Sequence, residues 1–287
     1  MPEGDSIFRL AARLRPALVG RAITAFTARR IDDAAAASLV GRVVVEVASR
    51  GKNLLVRFDD GRTLHVHLKM LGRVRMTPRA LAASRAAYRA SLGARPPRAP
   101  ELRFENDRVV VTGSAIPIVR LLAPGAEARA EGLAGLGPDL LAPDFDAEEA
   151  LRRLRARGRR PIGEVVMDQG AVAGIGNVYK SEVLFLQGLS PRARVAELDD
   201  DALRGILARA RELLLKNVAQ SVGQSVAHNL IGRPRTTRSS LRSERLWVYG
   251  RAGAPCFVCG TPIERFHQGK DPPRSTYTCP RCQPPPA

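Results

Sequence analysis

No apolar run in this 287-residue chain approaches the ~18 residues of a membrane span, which argues against a transmembrane helix. A signal-peptide pattern is also missing, because Glu3 and Asp5 stand where a positively charged segment would lie. The expectation is a soluble cytoplasmic protein with no membrane partner. Lysine is scarce, occurring at positions 52, 69, 180, 216 and 270, so 46 − 5 = 41 of the basic residues are arginine. Biased codon usage produces the same skew, so arginine preference alone decides little. The shortage of acidic residues decides more, because codon bias need not unbalance the two signs of charge. With 28 Asp and Glu against 46 Lys and Arg, the net charge is +18. A cationic surface of that size attracts polyanions, foremost nucleic acid. Cysteine is absent before position 256, and internal repeats are absent throughout.

What is present divides into segments of different character. Residues 5–18 read as an amphipathic helix, with Ile7, Leu10, Leu14 and Leu18 at helical spacing and Asp5 as N-cap. Strands are expected at 42–49, 52–58 and 62–69, the last two joined by an Asp59-Asp60-Gly61 turn. Two more are expected at 101–105 and 108–113, turned at Asn106-Asp107. Residues 80–100, biased to Ala, Arg and Pro, read as a helix fragment or a mobile loop. The first domain is thus mostly β and spans 1–125, followed by a linker over 126–146. Helical patterning then appears at 147–158, 181–188 and 200–222. A polar, arginine-rich stretch at 228–245 reads as a flexible basic loop, closing a second domain over 147–245. A small module occupies 246–287.

That module carries Cys256, Cys259, Cys279 and Cys282 as two CxxC pairs nineteen residues apart. Each pair can clasp a tetrahedral zinc ion from a tight turn. A module this small lacks the core to hold itself together, so one structural Zn2+ makes physical sense. Two disulfides are the alternative, disfavoured in a reducing compartment. With four protein ligands, no position stays open for catalysis. QGAVAGIGNVYKSEVLF (169–185) is a second signal: Gly174 and Gly176 allow a tight turn whose amides open a helix, a ready phosphate site to which Asn177 can add a donor. An ordinary glycine turn is the plainer reading. Lys52 follows Gly51 at the start of a strand and reads either as a phosphate contact or as a solvated strand-edge lysine. His65 and His67 alternate on one strand face without a third metal-type partner, so they read as structural or as DNA-facing donors.

The N-terminal PEG, the GK before a strand, AGIGNVYKSEVLF, and a four-cysteine finger following WVYGRAGAPC occur in that order. Together they resemble the bifunctional DNA glycosylases of the formamidopyrimidine-DNA glycosylase and endonuclease VIII family, over nearly the whole chain from Pro2 to Cys282. The resemblance implies an α+β fold: an N-terminal β-sandwich flanked by helices, a helix-two-turns-helix domain and a C-terminal zinc β-ribbon, clamped on damaged double-stranded DNA. It also implies a monomer, associated with the bacterial nucleoid when bound to DNA. Removal of Met1 would free the secondary amine of Pro2, which would attack C1′ of the damaged nucleotide and form an iminium ion. Glu3 would donate and accept protons beside it, and Lys52, Asn177 and Arg274 match residues that grip the flanking phosphates. Met70, with Leu71 as its neighbour, matches the loop that fills the hole left by an everted base. Met70 also reads as a core residue after a strand. One departure concerns substrate. The purine-specific branch has an Asp-Pro-Arg-Arg-Phe stretch where this chain has GSAIPIVRLL (113–122), which places it nearer endonuclease VIII and favours oxidised pyrimidines. Two other readings compete: a DNA-binding relic without catalysis, which has no reason to keep both Pro2 and Glu3, and a zinc-ribbon transcription or RNA-binding factor, which leaves the N-terminus unexplained.

Overall fold

The computed structural model describes residues 2–94, 98–219, 235–270 and 272–285. The expected basic loop at 228–245 therefore falls partly outside the described residues. Those described form two compact units, one holding Pro2 and residues 6–134, the other residues 3–5, 135–219 and 235–285. No described helix is long and apolar enough to cross a membrane.

The first unit is a β-sandwich. Helix α1 (Gly4–Leu18) buries Ile7, Leu10, Leu14 and Leu18, the stripe visible in the sequence. It begins at Gly4, so Asp5 lies inside its first turn and is not the N-cap expected from the sequence. Strand β1 (Ala25–Ala28) and short helix α2 (Asp33–Ala37) follow. Strands β2 (Val44–Arg50), β3 (Asn53–Phe58) and β4 (Thr63–His67) form a meander. Its turns are Gly51-Lys52, with Gly51 at φ 57°, and Asp59–Gly61, with Gly61 at φ 82°. Strand β5 (Arg73–Pro78) leads into helix α3 (Arg79–Ser91), then β6 (Leu102–Glu105), β7 (Val109–Ser114) and β8 (Ile118–Leu122). Two antiparallel sheets result, ordered β1-β6-β7-β5 and β2-β3-β4-β8. Their inner faces share a core including Val47, Leu54, Val56, Leu64, Val66, Phe104, Val111 and Val119. The expected turn at Asn106-Asp107 forms, with Asn106 Oδ1 accepting from the amides of Arg108 and Val109 at 2.9 and 2.8 Å.

The second unit is helical with a hairpin appended. Helix α4 (Ala147–Arg155) is capped by Asp146, whose carboxylate accepts from the Glu149 amide at 2.8 Å. Short helix α5 (Ile162–Val165), helix α6 (Asn177–Leu186) and helix α7 (Asp200–Ala219) follow. Leu151 and Leu154 of α4, Val183 and Leu184 of α6, and Leu203, Leu207 and Leu214 of α7 are all buried. Strands β9 (Glu264–Gln268) and β10 (Arg274–Thr278) form an antiparallel hairpin, with Arg274 opposite Gln268. The expected linker is tied down at both ends. Glu127 accepts from Arg57 at 2.7 Å and from Thr63 at 2.6 Å within the first unit, and Leu140 N donates to Ala173 O at 3.1 Å within the second.

Candidate functional site

In the second unit, a carboxylate from the start of the chain is seated on the start of α6. Glu3 is fully buried. Its carboxylate accepts from the amides of Val178 at 2.9 Å, Gly176 at 3.1 Å and Tyr179 at 3.4 Å. A helix N-terminus carries unpaired amides and a partial positive charge, so an anion is stabilised there. The glycines make the room. A Cβ on Gly176 would lie 2.3 Å from Glu3 Cδ, and one on Gly4 would lie 2.9 Å from Gly174 Cα. Gly4 N donates to Gly174 O at 2.9 Å, and Gly174 turns the chain at φ 115°. PEG and AGIGN are two halves of one fitting. The sequence reading of this helix start as a phosphate site is thereby revised, because Glu3 takes the amides that an external anion would use.

Another side of the α6 N-terminus is stitched to the hairpin. Asn177 Nδ2 donates to Ser275 O at 2.7 Å, and Lys180 Nζ donates to Thr276 Oγ1 at 2.7 Å and to Ser275 O at 3.4 Å. Thr276 passes its own hydroxyl hydrogen to Gln268 Oε1 at 2.9 Å. This fixes β10 at the residues next to Arg274. A cavity of about 490 Å3 opens beside them, lined in part by Arg160, Glu164, Lys180, Lys270 and Arg274. Burial drives the Lys180 pKa down to about 8, with Arg274 adding to the depression and Glu3 opposing it.

Two further buried acids organise the same unit. Glu182 accepts from the amides of Trp247, Val248 and Tyr249 at 2.7, 2.9 and 2.8 Å and from the Thr237 hydroxyl. Burial pushes its carboxyl up from the usual range against those bonds. Asp5 pairs with Arg235 at 2.8 Å, whose guanidinium carbon lies 5.5 Å from the Tyr179 ring centroid. Downstream, the sulfurs of Cys256, Cys259, Cys279 and Cys282 all lie within 4.8 Å of one another. Three of the separations are 3.4, 3.5 and 3.9 Å. Four thiolates at ~2.3 Å from a tetrahedral ion would sit about 3.8 Å apart, whereas a disulfide needs ~2.05 Å. The cluster fits a metal ion and excludes the disulfide alternative. Its Cys256 and Cys279 pack with Phe185, Val248 and Ile263, anchoring the finger on the end of α6.

Within the first unit, Lys52 occupies the second position of the β2–β3 turn, outside the strand. Asn53 pairs with His67, so the turn lies beside the loop that follows β4. In that loop Met70 is 52% exposed and Leu71 76% exposed. The core reading of Met70 therefore fails. Lys69, at φ 50°, donates its amide to His67 Nδ1 at 3.0 Å. Burial, with Lys69 and Lys52 adding to it, drives the His67 pKa down to about 4, so its ring is neutral at pH 7. His65 is also neutral, lowered to about 4 by burial first, and its Nε2 lies 2.8 Å from Asn53 Oδ1. Its role is structural. Pro2 is half-buried and peptide-bonded to Glu3.

Sequence reasoning missed Lys180, Glu182, Asp5 and Arg235 as site-building residues. The first two left a trace: a lysine and a glutamate two residues apart inside an otherwise apolar run. Asp5 and Arg235 left none, being far apart in sequence.

Residues 1–112 match the formamidopyrimidine-DNA glycosylase N-terminal domain, and residues 136–228 match the formamidopyrimidine-DNA glycosylase H2TH domain. A probable endonuclease 8 2 of Streptomyces coelicolor is 40% identical over 100% of this chain and 95% of its own length. A DNA-(apurinic or apyrimidinic site) lyase Nei2 of Mycolicibacterium smegmatis is 39% identical over 99% of each. Among solved structures, that of the MutM (Fpg) protein from Thermus thermophilus superposes with a TM-score of 0.75 at 26% identity, covering 100% of both chains. The chain belongs to the formamidopyrimidine-DNA glycosylase and endonuclease VIII family.

Two outcomes test this geometry. Gly176→Ala should destabilise the chain by about 1–3 kcal/mol in urea titration, because the new methyl meets the Glu3 carboxylate. A loss below about 0.5 kcal/mol, within the range of an ordinary surface substitution, would mean that Glu3 does not sit there. For Lys180 the folded pKa lies below the unfolded value of 10.5. Between pH 8 and 10.5 the unfolded chain thus holds more protons, and stability from this group rises with pH. Relative to Lys180→Met, the wild type should gain unfolding free energy across that window, and parallel curves would contradict the assignment.

Proposed function

We propose that this chain is a bifunctional DNA glycosylase and AP lyase of base excision repair, using Pro2 as its nucleophile. The observation that carries the reading is the seat of Glu3 on α6, which fixes the residue bonded to Pro2. The relatives named endonuclease 8 and DNA-(apurinic or apyrimidinic site) lyase support it. An α-amino group titrates near ~8, leaving a neutral fraction at physiological pH. Once Met1 is removed, the Pro2 nitrogen attacks C1′ and the glycosidic bond breaks, the base leaving with its electron pair and a proton. The attacking nitrogen then loses its proton and its lone pair expels O4′ from C1′, O4′ taking up a proton as the ring opens, so that the secondary amine yields a cationic iminium that acts as an electron sink. Loss of a C2′ proton expels the 3′ phosphate, and loss of a C4′ proton expels the 5′ phosphate. Water then hydrolyses the iminium, returning the amine and releasing the sugar fragment as an unsaturated aldehyde.

A carboxylate offers about four lone-pair positions. The three amides leave Glu3 one with which to exchange a proton with the opening sugar. Lys52, Asn177 and Arg274 are assigned to phosphates flanking the lesion, Arg274 by guanidinium geometry. Met70 and Leu71, exposed on their loop, are assigned to the space vacated by the everted nucleotide. The metal held by the four cysteines is assigned as one structural Zn2+, which fastens the hairpin bearing Arg274. The domains are assigned as sandwich, helix-two-turns-helix and finger.

Borohydride should trap the protein covalently on DNA bearing an abasic site, and an additional residue before Pro2 should abolish trapping. Undiminished trapping by the blocked protein would refute Pro2 as the nucleophile. Because the chain lacks an Asp-Pro-Arg-Arg-Phe stretch, it should excise thymine glycol faster than 8-oxoguanine opposite cytosine in single-turnover assays on matched duplexes. The reverse order would overturn the pyrimidine preference and leave the chemistry at Pro2 intact.

A further inference from the structure

Helix α3 is built without a core. None of its residues is buried, and Tyr88 is 67% exposed. A 13-residue helix in isolation is marginal even when alanine-rich, so a helix this bare has no evident stabilising role in the sandwich. Its charge is distinctive. Between residues 61 and 100 the chain has nine Lys or Arg and no Asp or Glu. Elsewhere acidic residues are interspersed and several arginines pair with them, as Arg57 does with Glu46 and Glu127 and Arg204 with Glu148. Among the described residues, Arg73, Arg75, Arg85 and Arg89 have no ion-pair partner. Arg85 and Arg89 are one helical turn apart on the same face. Arg73 and Arg75 are exposed along β5, which alternates with buried Val74 and begins two residues after Leu71.

We propose that α3, together with Arg73 and Arg75 of β5, is an auxiliary surface for the sugar-phosphate backbone of undamaged duplex DNA. It rests on the DNA-directed reading above and adds a footprint beyond the lesion. The chain from Arg73 to Ser91 has a contour of about 35–40 Å at ordinary strand and helix rise, on the order of one turn of duplex. Phosphates are matched by guanidinium groups left without carboxylates, and the Tyr88 hydroxyl can add a backbone hydrogen bond. No base-reading geometry is needed, so the contribution is non-specific affinity that holds the enzyme on DNA between lesions.

The test compares full-length wild type with Arg85→Ala/Arg89→Ala, binding an undamaged duplex longer than two helical turns and followed by fluorescence anisotropy over a salt series. Both substituted positions are exposed on an unburied helix, so the core is untouched. Removing two phosphate contacts should reduce the slope of log affinity against log salt by about 1.8. Equivalently, wild type should lose about tenfold more affinity than the variant between 50 and 200 mM salt. A control that removes two carboxylate-paired arginines, Arg152→Ala/Arg204→Ala, should keep the wild-type slope. An unchanged slope in the α3 variant would overturn the proposal. Equal reductions in both variants would overturn it as well, since net charge alone would then be acting. So would an unchanged slope with loss of binding to phosphatidylserine vesicles, which would make α3 a membrane-facing helix. Borohydride trapping tests the enzyme and the salt slope tests the helix, so the two readings fail separately.

Discussion

A carboxylate buried on helix-terminal amides is the constraint on which the second unit depends. Glu3 reaches from the start of the chain to residues 176–179 and occupies donors that every helix start leaves unpaired. The fit requires a missing Cβ at 176, a missing Cβ at 4 and a left-handed turn at 174. Each requirement is steric and leaves little freedom. The consequence is positional: the residue bonded to Pro2 cannot wander. A chain end would ordinarily fray, and here the buried Glu3 side chain restrains the residue next to Pro2.

Helix α6 extends that order outward. Its polar side chains Asn177 and Lys180 share one partner in Ser275 O, and Glu182 serves a separate set. Asn177 and Lys180 hold β10 beside Arg274, whereas Glu182 gathers the amides of residues 247–249. Phe185, at the far end, packs against Trp247 with ring centroids 5.6 Å apart. The helix is therefore buried nearly all round, and the Asn177 amide, the Lys180 ammonium and the Glu182 carboxylate find partners outside it. A metal in the four-cysteine cluster would hold the other end of the same hairpin. The hairpin bearing Arg274 is thus flanked by a helix and by the four-cysteine cluster.

Much of this was legible in the sequence, for reasons that differ by element. Helix α1 and strand β6 carry their burial in their periodicity, strands β2, β3 and β7 carry it in apolar runs, β4 carries it in Leu64 and Val66, and their turns carry glycine or asparagine. The edge strand β5 was not legible, because RVRMTP buries little besides Val74, and β1 is too short to show a period. Helix α3 was ambiguous because alanine and arginine favour a helix without giving it an apolar face. The cysteine spacing announced the four-cysteine cluster directly. The glycines of AGIGN announced a helix start able to bind an anion. They could not announce that the anion was Glu3, since nothing local links positions 3 and 176. Asp5 with Arg235 failed for the same reason: a buried ion pair across 230 residues leaves no mark in either neighbourhood.

The central claim is that the anchored N-terminus presents the reacting amine. The chain offers other amines, among them Lys52 and Lys180, and the latter titrates near enough to neutrality to compete on chemistry alone. The most direct measurement is peptide mapping by mass spectrometry of the protein reduced with borohydride on abasic-site DNA. The sugar remnant should lie on the N-terminal peptide, attached to the Pro2 nitrogen, with Met1 gone. A remnant on the peptide containing Lys52 or Lys180 would contradict the account.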